Sequence, residues 1–207
     1  MVIKVILLDL DGTLIDSRKC VGELYNHIAE RNKLKPPTSE EVDSVFHIPL
    51  IQGLMRIYGI PESEAARISE VRYDVYDRIL PLIEVDSNAG NVLGNLKRRY
   101  KLGIVTGRGS TTYRILNMFG LQSYFDIVVD RTQYANAKPH PECLHVAMKK
   151  LGFKPEETVY VGDGGVDVQA ANDAGVTSIY LSRTNHPNAR YNIEKLEELE
   201  PLLMGLS

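Results

Sequence analysis

The stretch "VILLDLDGTLIDS", residues 5 to 17, constrains the fold more than any other. Val5, Ile6, Leu7 and Leu8 form an unbroken apolar run, the signature of a strand buried on both faces. Asp9 and Asp11 follow at once, with Gly12 and Thr13 behind them. A buried carboxylate is costly unless something compensates it, and two like charges about 4 Å apart repel by about 4 kcal/mol at an effective dielectric of about 20. The pair therefore calls for a nearby cation.

Four further apolar runs read as buried parallel strands: 102–106, 125–129, 158–162 and 177–181, beside a first strand over 2–10. Helical spacing separates most of them. Val92, Leu93, Leu96 and Tyr100 mark one helix; Ile115, Leu116 and Phe119 a second. Leu144, Ala147, Met148 and Leu151 mark a third, and Val168, Ala171 and Ala174 a fourth. Strands alternating with helices predict an open parallel sheet. The gap between the first two strands is far longer than a simple crossover needs and reads as helices near 18–31, 39–57 and 61–80. Thr38 or Ser39 is placed to cap the second of these. The expected division is a core of residues 1–15 and 83–207 with a small helical domain, 16–82, inserted after the first strand.

The bulk numbers exclude several classes. With 207 residues, 43% hydrophobic and 25% charged, the chain has the composition of a soluble globular protein. A net charge of −3 gives no reason to expect nucleic acid or a membrane as partner. The N-terminal run lacks the small-residue cleavage site of a signal peptide, and no apolar run approaches a membrane span. Cys20 and Cys143 form no CxxC pair, which suits a cytoplasmic protein with free thiols. A monomer or a homodimer is expected.

The polar residues cluster by position. The first predicted strand ends in Asp9 and Asp11, the second in Thr106, Gly107 and Arg108, the fourth in Asp163 and Asp167; the loop after the third carries Lys138. Open α/β sheets bind ligands beyond the carboxyl ends of their strands. These carboxylates cannot gather fully ionised without cations, and a hard divalent ion, Mg²⁺ first, suits oxygen ligands. Phosphate bridging the metal, Lys138, the Thr106 hydroxyl and backbone N–H groups completes the expected site. An EF-hand fails, because its Gly and Glu positions fall on Leu14 and Cys20. There is no GxxxxGK[ST] and no HExxH. His47 and His140 are the histidines nearest the proposed site, and Tyr73 and Tyr76 read as helix packing.

In order, "DLDGTL", "IVTGR", "YFDIVV", "KPHPE" and "VYVGDGGVDVQAANDAG" resemble the haloacid dehalogenase-superfamily phosphatases with a helical cap, phosphoglycolate phosphatase-like members above all. The resemblance implies an α/β fold, a Rossmann-like three-layer core with a parallel sheet and an inserted α-helical cap domain. It implies Asp9 as the nucleophile that becomes an aspartyl-phosphate and Asp11 as general acid, then base. Thr106 and Gly107 hold the phosphoryl group, and Lys138 orients the nucleophile. Arg108, read from its position beside them, is a candidate substrate contact or a solvated arginine. Asp9, the Asp11 main-chain carbonyl and Asp163 match the Mg²⁺ ligands, and Asp167 matches the second acidic position, a ligand through water or a partner to Lys138. Gly164 stands where Ser or Thr is common; "FHIPL" puts His47 in place of a frequent glycine; and "VDSNAG" replaces a Pro-Gly turn. The expected activity is Mg²⁺-dependent hydrolysis of a small phosphorylated metabolite. A hexose-phosphate mutase, a pyrophosphatase, and a non-catalytic binding protein on the same fold are the alternatives. Asp11 argues against dehalogenation, which needs one nucleophilic Asp without a second carboxylate at +2.

Overall fold

The computed structural model describes residues 2–206. Its sheet has six strands: β1 (Val5–Leu8), β4 (Lys101–Val105), β5 (Ile127–Val129), β6 (Thr158–Gly162), β7 (Thr177–Leu181) and β8 (Tyr191–Ile193). They run in the order β5-β4-β1-β6-β7-β8, every pair parallel. Leu8 pairs with Ile104 on one side and Val161 on the other. The chain thus builds outward from β1 to β4 and β5, then returns to β6 on the opposite side of β1. That reversal is the switch point where open α/β sheets bind ligands.

The molecule divides into two compact units, one of residues up to Ile15 and from Val85 onward, the other Asp16–Glu84. Two two-residue strands, β2 (Ile15–Asp16) and β3 (Glu84–Val85), pair where the chain crosses between the units. The second unit is helical: α1 (Arg18–Arg31), α2 (Ser39–Asp43), α3 (Leu50–Tyr58), α4 (Glu62–Ser69) and α5 (Tyr76–Ile79). Its core gathers Tyr25, Ile28, Val42, Val45, Leu54, Ala65 and Ile68. Thr38 caps α2, accepting from the Glu41 N–H at 3.2 Å while the Glu41 carboxylate accepts from the Thr38 N–H at 2.7 Å.

The first unit adds α6 (Ala89–Lys97), α7 (Thr112–Met118), α8 (Glu142–Leu151), α9 (Gly165–Asp173) and α10 (Leu199–Gly205). The sheet face that carries Val5, Leu7, Val105, Val129 and Tyr160 is covered by α8 and α9 through Cys143, Leu144, Ala147, Met148, Ala170 and Ala171. All four residues of β1 and all five of β6 are buried, as a central parallel strand requires. Cys20 and Cys143 are buried and carry thiols. Among the described residues no helix is long and apolar enough to cross a membrane.

Several sequence expectations need correction. The strand expected over 2–10 is only Val5–Leu8, and that over 125–129 only Ile127–Val129. The helix expected over 39–57 is two, because Pro49 cannot donate into a helix and disfavours helical backbone at Ile48. The helix expected over 61–80 breaks at a 3₁₀ turn over Glu70–Asp74, where the Arg72 guanidinium donates to the Ser69 carbonyl at 2.8 Å. β8 and α10 escape the sequence reading: one is three residues long, the other carries Pro201 in its first turn, where proline is tolerated. Because Leu7 has no exposure and sits at the centre of the sheet, Leu7→Ala is expected to cost about 2–5 kcal/mol. Urea unfolding measures that loss as a lower midpoint with an unchanged slope.

Candidate active site

The carboxyl ends of β1, β4 and β6 and the loop after β5 bring the predicted residues together. Asp9 directly follows β1, and its N–H donates to the Val161 carbonyl at 2.9 Å, so the nucleophile candidate is still tied to β6. Beyond it the chain turns tightly: the N–H groups of Leu14 and Ile15 both reach the Leu10 carbonyl, and that of Gly12 the Ile15 carbonyl. Gly12 has φ of +81°, and a Cβ there would lie 2.0 Å from Asp163 Oδ2. Glycine is needed twice over, for the left-handed backbone and for room for Asp163.

Lys138 is the hub. Its Nζ is 3.0 Å from Asp9 Oδ1 and 2.6 Å from Asp167 Oδ1, with all three side chains almost fully buried. The Nζ also donates to the Tyr160 hydroxyl at 2.9 Å, and that hydroxyl lies 3.0 Å from the Val105 carbonyl and 3.1 Å from Asp167 Oδ1. The other oxygen of Asp167, Oδ2, accepts from the Gly164 N–H at 2.9 Å, at the N-terminus of α9. Asp167 thus caps α9 through one oxygen and pairs with Lys138 through the other. A Cβ on Gly162 would collide with Asp167, 2.5 Å from its Cβ.

Asp9, Asp163 and Asp167 each place a carboxylate oxygen within 4.8 Å of the others. Asp9 Oδ1 is buried without a hydrogen bond; Lys138 stands at ion-pair distance but outside hydrogen-bond geometry. Three carboxylates around one ammonium leave two negative charges when all are ionised. An orphaned buried oxygen and a deficit of two charges fit a divalent cation with oxygen ligands. The Asp11 carboxylate is not in this group: it faces Arg108, which donates through Nε to Oδ2 at 2.9 Å and through Nη2 to Oδ1.

Thr106 is buried at the end of β4, its N–H bonded to the Val129 carbonyl at 3.0 Å. Its hydroxyl accepts the Arg108 N–H at 3.1 Å, which leaves the hydroxyl proton to donate. Gly107 is exposed, with open space where a side chain would stand. His140 is exposed and accepts from the Glu142 N–H at 3.2 Å, while His47 stacks edge-on against Phe46 in the helical unit. Gly164 accordingly offers no hydroxyl beside Asp163; the Thr13 hydroxyl reaches Asp163 Oδ1 instead, at 3.4 Å.

Two tyrosines escape the sequence reading. Tyr160 buttresses Lys138, and the buried Tyr134 hydroxyl donates to the Thr106 carbonyl at 2.8 Å. For Tyr160 a signal existed: a phenol inside a buried apolar strand must find a polar partner.

The Asp9 carboxyl is raised to about 7, chiefly by burial and further by Asp167 and Asp11, against the lowering effect of Lys138. Burial works against the Lys138 ammonium, but Asp167 and Asp9 more than reverse this and hold its pKa well above the usual lysine range. Burial, with Asp167 beside it, keeps the Tyr160 phenol protonated, and burial lifts the Cys143 thiol to about 11, so neither is a nucleophile at neutral pH.

The family profile of the haloacid dehalogenase-like hydrolases matches residues 6–181. The chain belongs to that family. Pyrophosphatase PpaX of Bacillus mycoides is 29% identical over 220 residues, spanning 100% of both chains. PpaX of Halalkalibacterium halodurans is 31% identical over 178 residues, 85% of this chain and 82% of the relative. A crystallised HAD-superfamily hydrolase of subfamily IA, variant 1, from Geobacter sulfurreducens superposes with a TM-score of 0.77 at 29% identity, covering 97% of this chain and 96% of the other.

The raised Asp9 carboxyl has a consequence for stability. Between about pH 4, its unfolded value, and about 7 the folded state binds more protons than the unfolded one, so Asp9 makes the metal-free protein less stable as pH rises through that window. Asp9→Asn removes this load. In EDTA the variant is expected to unfold later than the parent at pH 8, by on the order of 1–3 kcal/mol, with a smaller gain at pH 5. Thermal unfolding at the two pH values measures it.

Proposed function

We propose that this hydrolase is a Mg²⁺-dependent phosphatase that hydrolyses a small phosphorylated metabolite, a phosphomonoester of the phosphoglycolate type, through an aspartyl-phosphate on Asp9. The observation that carries the reading is Lys138 held between Asp9 and Asp167, with Asp163 completing an oxygen cluster within 4.8 Å. Asp9, Asp163, Asp167 and the Asp11 main-chain carbonyl are the groups we assign to the metal. Bound there, Mg²⁺ supplies Lewis-acid polarisation of a phosphoryl oxygen and balances the carboxylate charge.

The chain's own residues then divide the work. An Asp9 carboxylate oxygen attacks phosphorus as the bond to the leaving oxygen breaks, and Asp11 in its acid form passes that oxygen a proton. Water next attacks the phosphorus of phospho-Asp9 while Asp11, now a carboxylate, takes the water's proton. The bond to Asp9 breaks and phosphate leaves. Lys138 keeps Asp9 oriented and offsets developing charge; the Thr106 hydroxyl and the Gly107 N–H donate to the phosphoryl oxygens. The helical unit is assigned the role of a cap that selects the substrate and excludes water.

A second reading, pyrophosphate hydrolysis by the same steps, draws support from the full-length likeness to PpaX. A phosphate-release panel of phosphoglycolate, sugar phosphates, nucleotides and pyrophosphate separates the two. Turnover is expected in Mg²⁺ buffer, lost in EDTA, and reduced about 10³-fold or more in Asp9→Asn. Turnover of pyrophosphate alone would move the assignment to the second reading. Conversion of a hexose phosphate into its isomer without phosphate release would make it a mutase. Undiminished turnover by Asp9→Asn would remove the nucleophile from the scheme.

A further inference from the structure

We propose that Arg108 is a positioning residue for proton transfer, acting through Asp11 and not as a contact to substrate; the inference rests on the phosphatase reading above. The backbone around Asp11 is fixed by the tight turn after β1, where the N–H groups of Gly12, Leu14 and Ile15 are all bonded within residues 10–15. What that turn leaves undetermined is the rotation of the Asp11 carboxylate. Arg108 settles it. The fork of Nε and Nη2 grips both carboxylate oxygens, and Nη1 donates to the Thr111 hydroxyl at 3.2 Å. Two parallel donors fix the plane of the ionised carboxylate, which a single ammonium does not; to carry the proton that the leaving oxygen takes, one Asp11 oxygen must let go of the fork while the other holds the plane.

Arg108 is itself anchored from both sides. Its N–H donates to the Thr106 hydroxyl at 3.1 Å, and its carbonyl accepts from the Arg131 N–H at 2.9 Å. The pair is largely shielded, with 14% and 20% of the two side chains exposed. A guanidinium spent in this way joins the loop that carries the phosphoryl-binding hydroxyl to the group that handles the proton.

Leaving-group chemistry tests the proposal. An alkyl phosphate such as glycerol 3-phosphate needs its leaving oxygen protonated; p-nitrophenyl phosphate does not, because p-nitrophenolate is a weak base. kcat/KM reports the step that breaks the leaving bond. Arg108→Ala is expected to lower kcat/KM about 10–100-fold on the alkyl ester and no more than about threefold on the aryl ester. Arg108→Lys keeps the charge without the fork and is expected to recover only part of the alkyl activity; it also serves if the alanine variant folds poorly by thermal unfolding. In an Asp11→Asn background, Arg108→Ala is expected to add less than about twofold on the aryl ester. Equal losses on both esters, or losses that multiply in the double variant, would show a direct substrate contact and overturn the inference while leaving the phosphatase reading intact. No phosphate released from either ester by the unaltered protein, in a panel that also yields none, would overturn the phosphatase reading itself.

Discussion

The site depends on one buried ammonium. Lys138 lies within 3.0 Å of Asp9 and 2.6 Å of Asp167, out of water, and without it two carboxylates would face each other in a low-dielectric interior. Desolvating each ion costs several kcal/mol, recovered only when geometry and additional hydrogen bonds are good. Asp167 meets that condition through Gly164, Lys138 and Tyr160. Asp9 does not, since one of its oxygens has no hydrogen bond. The cluster is thus asymmetric, and its strain falls on the carboxylate whose lone pairs the proposed chemistry requires. A fully satisfied Asp9 would be a better structural residue and a poorer nucleophile.

Much of the fold is legible because the strands carry a simple code. Val5–Leu8 and Thr158–Gly162 are buried on both faces, so their apolar runs are unbroken and each ends where its acidic residues begin. The α8 stripe of Leu144, Ala147 and Met148 falls on the sheet it covers. What was illegible depends on single contacts or short lengths. The interruption of the helical unit at residues 70–74 involves one guanidinium on one carbonyl, and Tyr191–Ile193 is too short to show a period. Ile15–Asp16 and Glu84–Val85 are shorter still; no two-residue strand announces itself in sequence.

The site residues divide in the same way. Asp9, Thr106 and Asp163 follow the ends of strands, and parallel pairing carries strand ends to one edge whatever the loops do. Lys138 was legible from its place after the third core strand, although its neighbours were not. Its partnership with Tyr160 spans 22 residues, and that between Asp11 and Arg108 spans 97. Pairings of that kind belong to the register and the loop geometry rather than to local pattern. Arg108 stands beside Thr106 in sequence, and its guanidinium pairs with Asp11, a partner that no local pattern announces.

Two carboxylates one residue apart therefore meet two cations of different kinds. Asp9 faces an ammonium, a compact charge that holds one of its oxygens at ion-pair distance without forking onto both. Asp11 faces a guanidinium, whose planar fork fixes both oxygens at once. The distinction matches the two roles proposed for them. A nucleophile needs a lone pair left available and a charge held nearby, and a proton carrier needs its oxygens aimed. Exchanging the two cations would preserve every formal charge in the site and set the planar fork on Asp9, whose lone pairs the attack requires. The choice of lysine at 138 and arginine at 108 is in that sense part of the chemistry, set by two strand-end loops that the sheet brings to the same edge.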